Sequence, residues 1–238
     1  MPTSAAKKPS SVDEPTANPS PVDQTPSVFE VLRERIIGLD YPPGTVLNRA
    51  ELQQEFGLSS TPIRDALMRL SDEGLLDIVP QSVTRVSLID VPLAKQALFL
   101  RRAVELEVVQ TLSALADRAF VTELAVFVEA QRGFATNTDI TAFYASDRAF
   151  HRRMYELADA PDLWGLVRQR SGHIDRIRRL DLPAAGKMTQ IVRDHGAIVK
   201  AISGGDGASA QLHMRDHLSR SIRLSPALQD QNPTYFKA

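Results

Sequence analysis

Hydrophobic positions between residues 28 and 88 follow a helical period three times and then a strand-like one. The first stripe consists of Val28, Val31, Leu32, Ile36 and Ile37. A second, shorter helix begins after Asn48, which suits an N-cap, and ends at Gly57. The third begins at Ser59 and ends at Gly74, with its stripe at Ile63, Ala66, Leu67 and Leu70. Two strand-like runs, 75–79 and 84–88, follow. Three helices and a hairpin predict a winged helix-turn-helix.

The remainder of the chain shows helical periodicity without strand-like alternation. Six helices are predicted, at 93–117, 121–135, 139–158, 161–181, 187–203 and 206–224. Such a series predicts an all-α six-helix bundle with its own core. We therefore expect a mainly α protein with four parts. They are a disordered tail rich in Pro, Ser and Thr (1–26), a winged-helix domain (27–90), a helical domain (91–228) entered by a linker at Pro92, and a C-terminal tail (229–238).

Composition narrows the chemistry. The 238 residues include no cysteine, which excludes disulfides and thiolate metal sites. No apolar run is long enough to span a bilayer and no secretory signal begins the chain, so we expect a cytoplasmic protein without a membrane partner. The net charge of −1 is not that of a broadly basic nucleic-acid binder. Any DNA contact must come from a local patch.

The third helix offers such a patch at its N-terminal end. Its first residues include Ser59, Thr61 and Arg64, small hydroxyls and a guanidinium that can enter a major groove tip first. An ordinary amphipathic surface helix would show much the same residues. The preceding helix and turn, and the hairpin that follows, favour the DNA-binding interpretation.

Several polar residues lie on the faces of the second domain that are otherwise apolar. Asp147 and His151, spaced i, i+4, share a face with Phe143, Phe150 and Met154. His195 interrupts an isoleucine stripe, and His217 lies between Met214 and Leu218. One carboxylate and three imidazoles inside a bundle suit Zn²⁺, and also Ni²⁺, Mn²⁺ or Fe²⁺. Core histidines with ordinary hydrogen-bond partners are the alternative, and spacing alone leaves both open.

A long motif in the first domain resembles a known family. Tyr41-Pro42-Pro43-Gly44-Thr45-Val46-Leu47, then Gly57-Leu58-Ser59-Ser60-Thr61-Pro62-Ile63-Arg64-Asp65-Ala66-Leu67, is similar to the DNA-binding domain of the GntR bacterial regulators. The resemblance implies operator DNA as a partner, with Arg49, Ser59, Ser60, Thr61 and Arg64 as contacts.

Two departures from this family pattern reduce the positive charge available for DNA. Ser60 stands where the family usually has Arg, and Ser82-Val83 replaces an Arg-Gly wing tip. Six Arg against ten Asp and Glu over 27–90 give this domain a net charge of −4. We therefore expect appreciable binding only as a dimer, with a shallow salt dependence.

The second domain resembles the FCD effector domain of the FadR subfamily, in its shorter VanR-like variety. The similarity rests on Asp147-Arg148-Ala149-Phe150-His151, Asp194-His195-Gly196-Ala197-Ile198 and Met214-Arg215-Asp216-His217-Leu218. It implies that Asp147, His151, His195 and His217 bind a divalent metal, often zinc, beside a small organic acid. The alignment selects His217 over His213, and His173 has no motif partner. Arg101 would be a carboxylate clamp, or else a salt-bridge partner of Glu105.

These observations lead to the hypothesis of a homodimeric, non-enzymatic transcription regulator, of which a repressor relieved by its ligand is the commoner type. Three imidazoles and a carboxylate also resemble the site of a metal-dependent hydrolase or lyase, although no further acidic residue in the three segments is an evident general base. A purely structural metal is a third possibility. The sequence does not identify the effector, the metal, the operator or the regulated genes.

Overall fold

The computed structural model describes residues 26–79, 83–221 and 226–237. The tail expected over 1–26, apart from Pro26, and Ser82 at the expected wing tip lie outside these residues. The first domain contains α1 (Val28–Gly38), α2 (Arg49–Phe56), α3 (Ser60–Asp72), β1 (Leu76–Ile78) and β2 (Thr84–Val86). The second contains α4 (Val91–Ala114), α5 (Val121–Thr136), α6 (Ile140–Leu157), α7 (Pro161–Arg170), α8 (Gly172–Asp181), α9 (Lys187–Ser203), α10 (Gly207–Ser221) and α11 (Pro226–Gln231).

The winged helix-turn-helix predicted for the first domain is confirmed. Asn48 caps α2 by accepting the Ala50 N–H at 2.9 Å, and Gly57 ends that helix with a φ of 64°. The two strands pair antiparallel, with Leu76 opposite Val86. Residues 45–47 extend this hairpin, because the Leu47 N–H donates to the carbonyl of Thr84. The stripes of α1 and α3 are buried together beneath the hairpin.

The second domain is helical throughout its described residues, as predicted. The long helix α4 packs along α9 and α10, while α5 packs on α6 and α9. This arrangement encloses the polar residues of α6, α9 and α10 among buried apolar side chains. None of the described helices has both the length and the apolarity that a bilayer crossing requires.

The fourth predicted helix, 161–181, is two helices that meet at Ser171. Gly172 begins the second one. A Cβ at Gly172 would lie 2.6 Å from Cδ2 of Leu75, so the first domain packs where any larger residue would place its side chain. This contact connects residues far apart in the chain, and the helical periodicity alone did not reveal it.

Both ends of the second domain also differ from expectation. Pro92 lies in the first turn of α4 and does not mark a linker before it, because Asp90 caps the helix through the Leu93 N–H at 2.9 Å. Residues 229–238, expected as a tail, are part of the folded protein as far as they are described. Phe236 pairs with Ile89 in a parallel bridge and is buried with Ile174 and Leu228.

Candidate functional site

Asp147, His151, His195 and His217 converge inside the second domain. Helix α6 supplies the first two, one turn apart, while α9 and α10 supply one histidine each. All four side chains are buried, and one potential ligand atom from each lies within 4.8 Å of the others. The Nε2 atoms of His195 and His217 are 3.3 Å apart, and His195 Nε2 is 3.8 Å from Asp147 Oδ1.

The outer nitrogen of each imidazole faces a protein oxygen. His151 Nδ1 lies 2.9 Å from Glu105 Oε2, and His195 Nδ1 lies 2.7 Å from Gln131 Oε1. His217 Nδ1 is 3.6 Å from Oδ2 of Asp194. Acceptors at Nδ1 hold the proton there and leave Nε2 with its lone pair directed inward, the arrangement usual for metal-binding histidines.

Among the potential ligand atoms that face the centre of the cluster, Asp147 Oδ1 and His151 Nε2 have no hydrogen-bond partner in the described residues. Leaving buried polar atoms unpaired is costly, so their convergence needs an explanation. One oxygen and three imidazole nitrogens are a donor set that a divalent cation of the zinc type accepts. These residues therefore fit a metal ion.

The electrostatics of His195, His217 and Asp147 favour the protonation states that a metal requires. Burial lowers the pKa of His217 to about 4, and burial together with the neighbouring His217 lowers the pKa of His195 well below its usual value. Burial by itself raises the pKa of Asp147, but the adjacent positive charge of Arg178 outweighs it and leaves the pKa well below the usual range. Neutral imidazoles and an ionised carboxylate are the metal-binding forms.

Three supporting residues were missed or misjudged in the sequence. No motif in the sequence connects Gln131 with the histidines. Glu105 was considered only as a partner for Arg101, yet it also faces His151. Asp194 neighbours His195 in sequence, and its side chain faces His217 on the adjacent helix and accepts a hydrogen bond from Arg220. A glutamate or glutamine on the apolar face of a neighbouring helix is the sequence signal that could have identified Glu105 and Gln131.

Two arginines approach the cluster. Arg101 donates through Nε to Glu105 Oε1 at 2.6 Å, so the salt bridge weighed as an alternative is present. Arg178 Nη2 donates to Asp147 Oδ2 at 2.6 Å, which leaves Oδ1 of that carboxylate for another ligand. Both arginines line a cavity of about 10 Å³ beside Asp147, space for about one water molecule.

The two histidines whose place the sequence left undecided lie outside this cluster. His173 is at the junction of the two domains, where its Nδ1 accepts the Asp90 N–H at 3.1 Å. His213 is half-buried on α10, one turn before His217, and is not part of the cluster.

The expected DNA contacts form an exposed surface at the start of α3. Arg49, Ser59, Ser60, Thr61 and Arg64 are all exposed. Ser59 precedes α3 in an extended conformation and makes no side-chain cap, so its hydroxyl is not used by the helix. Arg64 is 65% exposed and has only Asp65 nearby, at 3.5 Å.

Much of the negative charge of the first domain lies away from this surface. Glu34 on α1 pairs with Arg148 and Arg168 of the second domain. Glu73 pairs with the buried Arg33, which also donates to the carbonyl of Arg168 at 2.8 Å. Glu34 thus joins the two domains directly, whereas Glu73 holds Arg33, which itself contacts the second domain. Both carboxylates are paired with arginine, so the net charge of −4 overstates the repulsion that DNA would meet at α3.

Comparison with known proteins identifies both domains. Residues 24–86 match the family described as "Bacterial regulatory proteins, gntR family", and residues 96–220 match the FCD domain. The chain is 35% identical to the "Uncharacterized HTH-type transcriptional regulator in unstable DNA locus" of Streptomyces ambofaciens, over 80% of each chain. It is 25% identical to the "HTH-type transcriptional repressor RspR" of Escherichia coli K12, over 92% of this chain and 96% of that one.

A solved structure gives the same picture of the fold. The E. coli McbR/YncC structure aligns with a TM-score of 0.73 at 18% identity, covering 86% of this chain and 96% of that one. At this identity the likeness extends to the fold only.

Proposed function

Because this chain belongs to the GntR family of bacterial regulatory proteins and carries its winged-helix domain together with an FCD domain, it is a DNA-binding transcription regulator and not an enzyme; we propose that it is a repressor controlled by a small carboxylate. The carboxylate binds beside a divalent metal, zinc in the first instance, held by Asp147, His151, His195 and His217. The observation that carries this proposal is the pair of buried, unpartnered atoms, Asp147 Oδ1 and His151 Nε2, that face the other two histidines.

Each group around the cluster has a role in this proposal. The metal would supply a position at which an oxygen of the carboxylate binds. Arg101 and Arg178 line the adjoining cavity, and their guanidinium groups neutralise the carboxylate and fix its orientation. Glu105, Gln131 and Asp194 keep the imidazoles oriented. The apolar residues of the bundle exclude water, which strengthens these charge interactions.

DNA binding is proposed to use the exposed start of α3 in a homodimer. Arg64 is the principal groove contact, with Arg49 and the hydroxyls of Ser59, Ser60 and Thr61 as accompanying contacts. Two such surfaces separated by about one turn of DNA would read the two halves of an operator. A ligand that favours one arrangement of the helices changes their separation and thereby weakens operator binding. Because the operator is chromosomal DNA, the cytoplasm is the proposed location.

A metal that only stabilises the bundle is the second candidate role. The cavity beside Asp147, at about 10 Å³, is too small for a carboxylate as it stands, and this observation favours the structural role. The two roles differ in what a carboxylate does. In the regulatory role, a carboxylate changes operator affinity when zinc is present and has no effect when zinc is absent.

The test begins with selection of an operator from random duplexes by the purified protein. Binding to that operator is then measured by fluorescence anisotropy with EDTA, with zinc, and with zinc plus each of a panel of small carboxylates. At least one carboxylate should weaken binding tenfold or more in the wild type and have no effect in Asp147→Ala. The control His213→Ala removes a histidine that lies outside the cluster and should respond as the wild type does. Unchanged operator affinity with every carboxylate would reject the regulatory role, even if metal analysis finds zinc in the protein.

A further inference from the structure

Helix α8 is in contact with both the candidate metal centre and the DNA-binding domain. It has ten residues, begins at Gly172 after the break at Ser171, and packs on α1 of the first domain and on α4 of the second. Two of its arginines, Arg176 and Arg178, are buried. Residues two apart on a helix project about 200° apart around its axis, so these two side chains reach opposite sides.

Arg176 holds the first domain. It is fully buried, its Nη1 donates to the carbonyl of Ser87 at 2.6 Å, and its Nη2 donates to the Ser87 hydroxyl at 3.2 Å. That hydroxyl donates in turn to the carbonyl of Gly74 at 2.7 Å, in the turn that ends α3. The neighbouring His173 accepts the Asp90 N–H at the start of α4. One side of α8 is therefore bonded to the turn that follows α3 and to the segment that follows the wing.

Arg178 contacts the candidate metal centre through Asp147. Its bond to Asp147 Oδ2 joins two side chains that are 4% and 1% exposed, so each is the other's charge partner. A cation bound through Oδ1 would share this carboxylate with Arg178, and two positive charges at one carboxylate weaken each other's attraction to it. Occupation of the metal centre therefore changes the force on α8.

The cavity beside Asp147 also involves α8. Most of its lining residues belong to the α7–α8 unit: Trp164, Val167, Arg168, Ser171, Asp175 and Arg178. A cavity of about 10 Å³ must widen to admit even the smallest carboxylate. Displacement of α7 would also carry the carbonyl of Arg168, to which Arg33 of the first domain donates.

From these contacts we propose that α8 is the element that transmits occupancy of the metal centre to the DNA-binding domain. Arg178 is the contact at the metal centre and Arg176 the contact at the DNA-binding domain. The proposal deepens the proposed function and rests on it for its biological meaning, whereas the mechanical connection can be measured without DNA. The turn at Ser171 allows α8 to shift relative to α7, and packed elements of this kind move as units.

The experiment measures hydrogen exchange in the full-length protein, by mass spectrometry, after metal has been removed with EDTA and the chelator dialysed away. Zinc alone and zinc with acetate, a small carboxylate probe, are then added. Exchange is followed in the first domain at residues 74–79 and 84–90 and, as a report on the metal centre, at 147–151 and 195–217. Zinc affinity is measured separately by competition with a chromophoric chelator.

Three variants separate the contacts. Arg178→Gln removes the charge at Asp147. Arg179→Gln is the matched control, since this next residue of α8 donates instead to Thr141 and the carbonyl of Ile140. Ser87→Ala weakens the other end gently, because it removes one acceptor of Arg176 and leaves the backbone carbonyl in place.

In the wild type and in Arg179→Gln, zinc or zinc with acetate should change exchange at residues 74–79 and 84–90 about threefold or more, as expected for a local opening that responds to a ligand. In Arg178→Gln the change that zinc alone causes near Asp147 should persist while the change in the first domain is lost. In Ser87→Ala part of the change in the first domain should be lost. Without metal, Arg178→Gln should already exchange faster than Arg179→Gln in the first domain.

Several results would overturn the proposal. Zinc that protects 147–151 and 195–217 but leaves the first domain unchanged would reject the coupling and keep the metal centre. A response of Arg178→Gln equal to that of the wild type would reject the assigned route. If zinc fails to bind the wild type, the proposed metal centre is wrong. The exchange of Arg178→Gln and Arg179→Gln without metal then tests whether α8 connects the cluster to the first domain. Equal exchange of Arg178→Gln and Arg179→Gln in the first domain would reject α8 as the connection.

Discussion

His173→Gln tests the junction between the domains through its dependence on pH. His173 Nδ1 accepts the Asp90 N–H at 3.1 Å and lies 3.0 Å from Arg176 Nη2. Protonation of that nitrogen would remove both bonds and place a positive charge against a buried guanidinium. Burial, and secondarily the charge of Arg176, lowers the pKa of His173 from 6.5 to about 4. The side chain oxygen of Gln can accept the same N–H groups and does not titrate.

The lowered pKa of His173 makes the folded protein less stable as the pH falls. Below about pH 6.5 the unfolded chain binds a proton at His173 that the folded protein refuses, so this histidine costs stability as the pH falls toward 4, and the loss then levels off. With pKa values of about 4 folded and 6.5 unfolded, the loss between pH 7 and pH 5 is about 2 kcal/mol. The variant should therefore gain about 2 kcal/mol relative to the wild type between these two pH values.

The assay is urea unfolding at pH 7 and pH 5 with EDTA present, followed by circular dichroism at 222 nm. Comparison of variant with wild type at each pH cancels the titration of all other groups. His213→Gln is the control, since it removes a histidine away from the junction. If the difference in unfolding free energy between His173→Gln and the wild type is the same at both pH values, or if the control shows an equal change, the reasoning about the junction fails.

Three further predictions concern DNA, metal and packing. Arg64→Ala should weaken operator binding by about 1–3 kcal/mol per half-site, the worth of one bidentate base contact, while zinc content stays at the wild-type value; a variant that retains operator affinity in anisotropy titrations would place the contact elsewhere. Glu105→Gln should weaken zinc binding about 10–100-fold in chelator competition because His151 loses its charged partner, and unchanged affinity would remove Glu105 from the site. Gly172→Ala should destabilise the protein by about 1–3 kcal/mol because the added Cβ would clash with Leu75. Leu75→Ala in the same chain should relieve part of this loss. Additive effects of the two substitutions in thermal unfolding would argue against the clash.

Two acidic residues of the first domain have a structural role at the junction between the domains. Glu34 pairs with Arg148 and Arg168 of the second domain, and Glu73 pairs with Arg33, which donates to the carbonyl of Arg168. The charge of Glu34, which DNA would repel, is thus placed where it attracts the second domain. The first domain retains Arg49 and Arg64 in an exposed position for DNA.

The sequence determined the architecture of the two domains and the four residues that converge in the candidate metal centre. Helical periodicity records which face of each helix is buried, so the faces that carry Asp147, His195 and His217 could be identified without coordinates. The long motif identified the winged helix, because its turns and caps depend on neighbouring residues. Local signals of this kind depend only on residues a few positions apart in the sequence.

Tertiary structure alone decided how these parts meet. Arg178 reaches Asp147 across 31 residues of sequence, and Arg176 reaches Ser87 across 89. Such contacts depend on the distance and rotation between packed elements, which a local pattern does not encode. The periodicity likewise did not predict the break at Ser171, next to which Gly172 packs closely against Leu75 of the other domain. The four residues of the candidate metal centre could thus be predicted, whereas the contacts of α8 with this site and with the DNA-binding domain emerged only from the packing.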